Sequence, residues 1–283
     1  MWVVYSLLTV LFWGSSDVVF KSVAHESANS AAELLSVNGI VLGACGVIYA
    51  LLFRVQITLA AALIYLPVAA AYLISMVCYY SGIPLIKLSI LSPVGNCSCG
   101  LVVLLCFFVL KQPLTLYQAV TVAIMVTCMA LLSQNRERDS EQKRTYPLGI
   151  MFALGYFLLD GIGSFLDDYT IGAKLTADEV FVIYAMIYGV LGLLCYLHLK
   201  QKQPRRKSFT HRRRVFGALL ETAGQFTYVY AFAHGDAVLA SPFIASFSAV
   251  SVLLSRILLN ERLDRKQYIL VAIILSGMVL LAL

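Results

Sequence analysis

The chain is a succession of apolar runs with almost nothing between them, and each run is close to the length of about 20 residues that a helix needs to cross a bilayer. From end to end the runs are Trp2–Phe20, Ala31–Phe53, Thr58–Gly82, Leu85–Leu110, Leu114–Leu132, Leu148–Asp168, Thr176–Leu199, Arg214–His234, Ala237–Leu259 and Lys266–Leu283. In lipid a segment must satisfy its own backbone hydrogen bonds, and an α-helix does so within itself. Several runs are bounded by proline, glycine or charge, where helices stop. The expected fold class is therefore an all-α membrane protein with ten transmembrane helices. Composition agrees: 60% of residues are hydrophobic and 13% charged, against about half and about a quarter in a soluble domain. Too little chain remains for a catalytic domain outside the membrane. The first run lacks a basic leader and an A-x-A-like cleavage site, so it is expected to stay as a span.

The net charge of +6 is concentrated between the runs. Asn135–Arg144 and Lys200–Arg214 are strongly basic, and both fall on one side of the membrane if the span count holds, together with Lys21 and Asn260–Lys266. The other side carries Asp167–Glu179 and His234–Asp236, which are neutral to acidic. The positive-inside rule puts the basic loops in the cytoplasm and both chain ends outside. The expected location is the plasma membrane, multi-pass, of the bacterial inner-membrane type. The basic run before Arg214 reads as topology and contact with anionic membrane lipids, with no nucleic acid as partner. The seven cysteines all lie in apolar runs. Cys97 and Cys99 point to nearly opposite helix faces, so they read as packing with no metal site, and no cofactor is expected.

An internal repeat runs through the chain at a constant offset. Tyr79 aligns with Tyr228, Ser92-Pro93 with Ser241-Pro242, and Leu110, Leu114 and Gln118 with Leu259, Leu263 and Gln267. Val122–Ile124 repeats as Val271–Ile273. With small gaps, Trp13 and Asp17 correspond to Tyr156 and Asp160, each an aromatic residue four before an acid, and Glu33 to Glu179. The chain divides into a first five-helix unit over 1–134, a basic linker over 135–147 and a second unit over 148–283. An odd number of spans per unit inverts the second copy. Carriers that work by alternating access share this inverted duplication, with the substrate site where the copies meet.

The stretch Tyr228–Leu281 resembles the second half of the drug/metabolite transporter superfamily, EamA-like branch. The resemblance is carried by Tyr230-Ala231-Phe232, the mid-helix Pro242, the turn Asn260-Glu261-Arg262-Leu263 and Gly277, and Trp13-Gly14 resembles the family's opening. The first half departs from the pattern with Lys111-Gln112-Pro113-Leu114 where the turn glutamate is usual. The resemblance covers essentially the whole chain and implies a ten-helix transporter. It says little about substrate, since the family carries amino acids, sugars, drugs and amines. Glu261 is read as capping or pairing with Arg262 or Arg265 at the membrane surface.

Polar residues inside apolar runs mark function by default, because an unpaired charge at that depth costs several kcal/mol. Residues four and seven apart share a helix face. Glu221, Gln225 and Tyr228 do so, and so do their repeat counterparts Tyr72, Met76 and Tyr79. Trp13 shares a face with Asp17; Tyr156 with Asp160 and Asp167; and Tyr184 with Tyr188. Asn96 and Ser98, and Ser246 and Ser248, lie just past the aligned prolines, where a kink can free backbone carbonyls. The expected substrate-binding set is Trp13, Asp17, Tyr72, Tyr79, Asn96, Tyr156, Asp160, Tyr184, Gln225 and Tyr228. Glu221 and Asp160 are expected to alternate between proton and substrate. Asp17, Asp160 and Glu221 among aromatic rings favour a cation, an amine or quaternary ammonium compound. The only nearby basic group expected to be buried is Arg256.

Blander readings stand beside these. Glu221 pairs structurally with Arg256 or a neighbouring hydroxyl, Asp17 with Lys21 one turn on, and Asp167 and Asp168 form an exposed helix end. Tyr5, Tyr49 and Trp2 read as interfacial belt residues, and Gly39 and Gly43 as a close helix contact. The leading function is a secondary transporter of a small cationic metabolite, with protons as a second partner, acting as monomer or homodimer. The alternative is export of amino acids or neutral compounds, with the acids purely structural; a non-transporting scaffold is more remote. No G-x-S-x-G or H-E-x-x-H motif occurs, and Asp160-Gly161 lacks the partner motif of an intramembrane aspartyl site, so an enzyme is not expected.

Overall fold

The computed structural model describes residues 1–24, 30–132, 142–202, 212–260 and 264–283. Among these residues twelve α-helices follow one another: α1 Trp2–Ala24, α2 Ser30–Phe53, α3 Leu59–Gly82, α4 Leu88–Asn96, α5 Ser98–Phe108, α6 Leu116–Leu132, α7 Gln142–Thr170, α8 Ala177–Lys202, α9 Arg212–His234, α10 Ala237–Ala245, α11 Phe247–Leu258 and α12 Arg265–Ala282. They make ten rods, because α4 and α5 form one span and α10 and α11 another. Eight rods are long and apolar enough to cross a membrane. The exceptions are α6, with 17 residues, and α9, whose first turn carries Arg212, Arg213 and Arg214. The basic segments around 133–141 and 203–211, and the turn residues Glu261 and Arg262, lie outside the described residues.

The two broken rods were expected to be continuous. Each holds a proline, Pro93 or Pro242, and breaks four residues later, at Cys97 and at Ser246. A proline lacks the N–H that would bond one turn back and its ring crowds that carbonyl, which bends a helix. The two breaks are repeat counterparts. So are Lys111 and Asn260, each left-handed at φ 56° just past the end of its rod, a conformation used where a helix terminates.

The packing has the same exchange symmetry. Helix α1 packs along α9 and α3 along α7, while α2 packs on α8 and α6 on α12. Swapping the halves turns the first pair into the second and leaves the last two unchanged. The smaller contacts obey the same rule, with α1 on α11 and on α10 matched by α7 on α5 and on α4. Both long pairs are antiparallel. Along α1 and α9, Thr9 meets Thr227 at 2.8 Å and Ser16 donates to the Gly217 carbonyl at 3.0 Å. Along α3 and α7, Tyr65 meets Asp167 and Tyr79 meets Tyr156.

The α2–α8 contact is the tightest. A Cβ at Gly192 would sit 2.8 Å from the Gly39 Cα, and one at Gly43 would sit 2.7 Å from the Gly189 Cα. Lipid supplies no hydrophobic drive for helix association, so contact of backbone with backbone supplies it instead. At the other end of the set, the buried Lys21 side chain donates to the Ile83 and Ile86 carbonyls at 2.6 and 2.7 Å. That satisfies carbonyls which the end of α3 leaves without helical partners. Replacing Gly192 with leucine is expected to lower the melting temperature and membrane yield sharply. The obstructing atoms are backbone, so the cost should reach the upper end of the about 1–3 kcal/mol typical of overpacking; an unshifted melting curve in detergent would contradict this packing.

Candidate substrate site

The helix pairs enclose one polar cavity between the two halves. Every residue expected to bind substrate or carry a proton lines it: Trp13, Asp17, Tyr72, Tyr79, Asn96, Tyr156, Asp160, Tyr184, Glu221, Gln225 and Tyr228. Met76, Ser98, Ser164 and Phe247 complete much of the wall. The free space is about 40 Å³, room for only a few water molecules, each needing about 10–15 Å³. The cavity is therefore contracted around its own polar groups.

Asp17 is its most heavily tied acid. The Tyr79 hydroxyl donates to one carboxyl oxygen at 2.5 Å, and Ser92 and Ser251 donate to the other at 3.0 and 2.7 Å. These donors come from α3, α4 and α11, so one carboxyl group links four elements from both halves. Lys21 does not pair with it, since its ammonium group bonds to the Ile83 and Ile86 carbonyls. Asp17 itself is buried. Asp160 accepts from Ser98 on α5 at 2.8 Å. Glu221 is half-buried, with the Ser16 hydroxyl beside it and Asp17 close enough to repel it when both are charged. The expected rival Arg256 is exposed on α11 and does not line the cavity. Among the described residues no lysine, arginine or histidine does.

The rings are arranged as repeat-related pairs. Trp13 stacks on Tyr228 at 5.2 Å and 30°, and Tyr156 packs on Tyr79 at 4.8 Å and 45°. Each ring on α1 or α7 sits where a glycine has no side chain, Trp13 over Gly224 and Tyr156 over Gly95. The Trp13 indole N–H reaches the Glu221 carbonyl at 3.4 Å. Phe247 adds an edge to Trp13 at 5.6 Å, and Tyr184 one to Tyr72 at 5.8 Å.

The acids at the end of α7 are placed differently from the sequence reading. Asp167 is completely buried and accepts from Tyr65 at 2.9 Å and Tyr72 at 3.3 Å. Asp168 accepts from Gln112 at 2.6 Å, and the Gln112 carbonyl accepts from the Val238 N–H at 3.0 Å. The helix continues to Thr170, two residues beyond the span end read from hydropathy, which brings both acids inside. The spacing that put Asp167 on the Tyr156–Asp160 face was the signal for this. The serines on Asp17, Ser92 and Ser251, carried no such signal, because a serine in an apolar helix usually bonds its own preceding turn. Tyr49 is also more than an interfacial ring: it donates to Asp178 at 2.6 Å, and Tyr230 donates to the same oxygen.

Residues 147–283 match the profile of the EamA-like transporter family. This half of the chain is an EamA-like transporter unit. A solved structure, described only as the crystal structure of a protein, superposes on 99% of this chain and 96% of its own, with a TM-score of 0.73 at 15% identity. That likeness extends the fold to the whole chain. Among curated proteins none matches the sequence significantly. The drug/metabolite transporter resemblance read from the EamA-like motifs therefore holds, and with it membrane transport as the broad activity.

In the cavity, Tyr79→Phe and Ser251→Ala each remove one donor from Asp17. Each is expected to lower stability in detergent by about 1 kcal/mol, the scale of interhelical hydrogen bonds in lipid. Because both act on one carboxyl group, the double variant should depart from additivity. Melting temperatures unchanged in both single variants would contradict this account of Asp17.

Proposed function

We propose that the protein is a secondary active transporter of a small cationic metabolite, an amine or quaternary ammonium compound, working by alternating access and coupled to protons. The observation that carries this reading is the mismatch between acids and bases in the cavity. Asp17, Asp160 and Glu221 line it with no basic side chain among the described residues. A charge on any of them can be neutralised only by a proton or by a cation brought in from outside. Both events relieve the same electrostatic cost, so proton and substrate compete for one site. The paired rings supply faces that attract ammonium groups by about 1–2 kcal/mol when desolvated.

In this reading residues 1–134 and 148–283 are inverted copies joined by the basic linker 135–147, and the substrate sits where they meet. Trp13, Tyr79, Tyr156 and Tyr228 form the aromatic walls, with Tyr72 and Tyr184 beside them. Asn96 and Gln225 supply neutral polar contacts, Asp17 and Asp160 negative potential, and Glu221 or Asp160 the exchangeable proton. The basic loops face the cytoplasm of a plasma membrane. The contracted cavity is then a closed state that must widen to admit a guest.

A thermal-shift series on purified protein tests the substrate class. Methylammonium, choline or a larger amine is expected to raise the melting point, by the equivalent of about 2.7 kcal/mol at a hundredfold excess over the dissociation constant. A response confined to amino acids, sugars or anions would replace this reading with export of neutral metabolites past structural acids. Glu221→Gln is expected to reach the membrane and to lose transport driven by a pH gradient, by about tenfold or more. Full gradient-driven transport by that variant would remove Glu221 from the coupling.

A further inference from the structure

One buried acid touches the cavity wall without lining the cavity. Asp167 is sealed, at 0% exposure, and so is Tyr65, which donates to its Oδ1 at 2.9 Å. Its Oδ2 lies 3.3 Å from the Tyr72 hydroxyl. That hydroxyl also lies 3.1 Å from Ser164 Oγ and 2.6 Å from the Tyr228 hydroxyl, and Tyr72, Ser164 and Tyr228 do line the cavity. Tyr72 has a single hydroxyl proton for three oxygens.

That shortage orders the network. When Asp167 is ionised it can only accept, so Tyr72 donates to it, and Tyr228 donates in turn to Tyr72. The Tyr228 oxygen then offers its lone pairs to the cavity. When Asp167 is protonated its O–H can donate to Tyr72, which then donates to its nearest remaining oxygen, that of Tyr228. The Tyr228 proton is thereby turned towards the cavity. An ammonium guest is met by an acceptor in the first arrangement and by a donor in the second.

We infer that Asp167 is a proton-binding residue outside the substrate cavity, linked to the guest through the shared hydroxyl of Tyr72, so that cation binding expels its proton. The inference rests on the cationic-substrate reading and adds to it a second proton site. The groups facing Asp167 are Tyr65 and Tyr72 from α3, Tyr228 from α9 and Tyr184 from α8, with Asp160 and Asp168 on its own helix. None is basic, so among the described residues nothing but a proton neutralises a charge there. The step balances simply: the proton leaves Asp167 for water, and the hydroxyl protons of Tyr72 and Tyr228 each turn by one partner. Linkage makes the effect reciprocal.

The test is proton release measured with a pH dye when purified protein binds choline or tetraethylammonium, at the pH where wild-type release is greatest. Asp167→Asn is expected to bind the cation and to release fewer protons, by about one per cation bound. Its infrared spectrum should also lose a component of the protonated-carboxyl band. If Asp167→Asn does not reach the membrane, Tyr72→Phe, which keeps the carboxyl group, should keep the band and show the same fall in linked release. Normal cation binding with undiminished proton release in Asp167→Asn would overturn this inference alone. No binding of either cation by the wild type would overturn the transport reading and the linkage with it.

Discussion

Carboxyl groups inside a membrane bundle need partners, and around this cavity the partners are hydroxyls. Asp17 has Tyr79, Ser92 and Ser251; Asp160 has Ser98; Asp167 has Tyr65 and Tyr72. Hydroxyls satisfy oxygen lone pairs but carry no charge. A lysine or arginine would have neutralised the acid permanently and filled the cavity with a fixed salt bridge. The hydroxyl shell holds each side chain in place and leaves its charge open to a proton or an incoming cation. The packing of α1, α3, α7 and α9 brings those hydroxyls onto the acids.

The repeat explains how two halves with few identities build one cavity. Only a handful of aligned residues keep their type, yet Trp13 on Tyr228 and Tyr156 on Tyr79 are the same contact made twice. The rods around them are broken at equivalent points, Cys97 and Ser246, and end at equivalent left-handed residues, Lys111 and Asn260. The symmetry is kept in backbone and packing and relaxed in side-chain chemistry. Glu221 stands opposite a counterpart that is Tyr72, so the cavity is symmetric in shape and asymmetric in charge. An asymmetric guest can be oriented by such a cavity.

Much of this was legible in the sequence. Apolar length gave the rods, and the constant offset gave their pairing. Face sharing at four and seven residues collected Glu221, Gln225 and Tyr228, because in lipid a polar residue has few places to go other than inward. What stayed hidden depends on contacts between distant segments. Ser92 and Ser251 looked like ordinary helix serines. Lys21 sat one turn from Asp17 and seemed its partner, but the end of α3 offered it two carbonyls. Asp167 and Asp168 looked terminal because hydropathy fades there. Helix α7 continues by two more residues, and Tyr65 and Gln112 come in from other rods to cover them. The kinks expected at Pro93 and Pro242 interrupt the helices at one residue each, Cys97 and Ser246, four positions later.

The two ends of the bundle are held by unlike interactions, and that bears on how such a cavity opens. At the end where α9 begins, Arg214 meets Glu33 of α2 at 2.7 Å, both side chains buried. Separating such a pair without new partners costs several kcal/mol, because each charge is left in a poor medium. At the other end α2, α8 and α9 are joined by Tyr49 and Tyr230 on Asp178, and α7 meets α10 through Gln112. Hydrogen bonds between helices in membranes average about 0.6 kcal/mol each. The second end is therefore the cheaper to part, and its carboxyl groups keep partners in water once parted. In the transport reading proposed above, a cavity of about 40 Å³ has to widen for its guest, and these energetics favour the end that holds Asp168 and Asp178 over the end that holds the arginine.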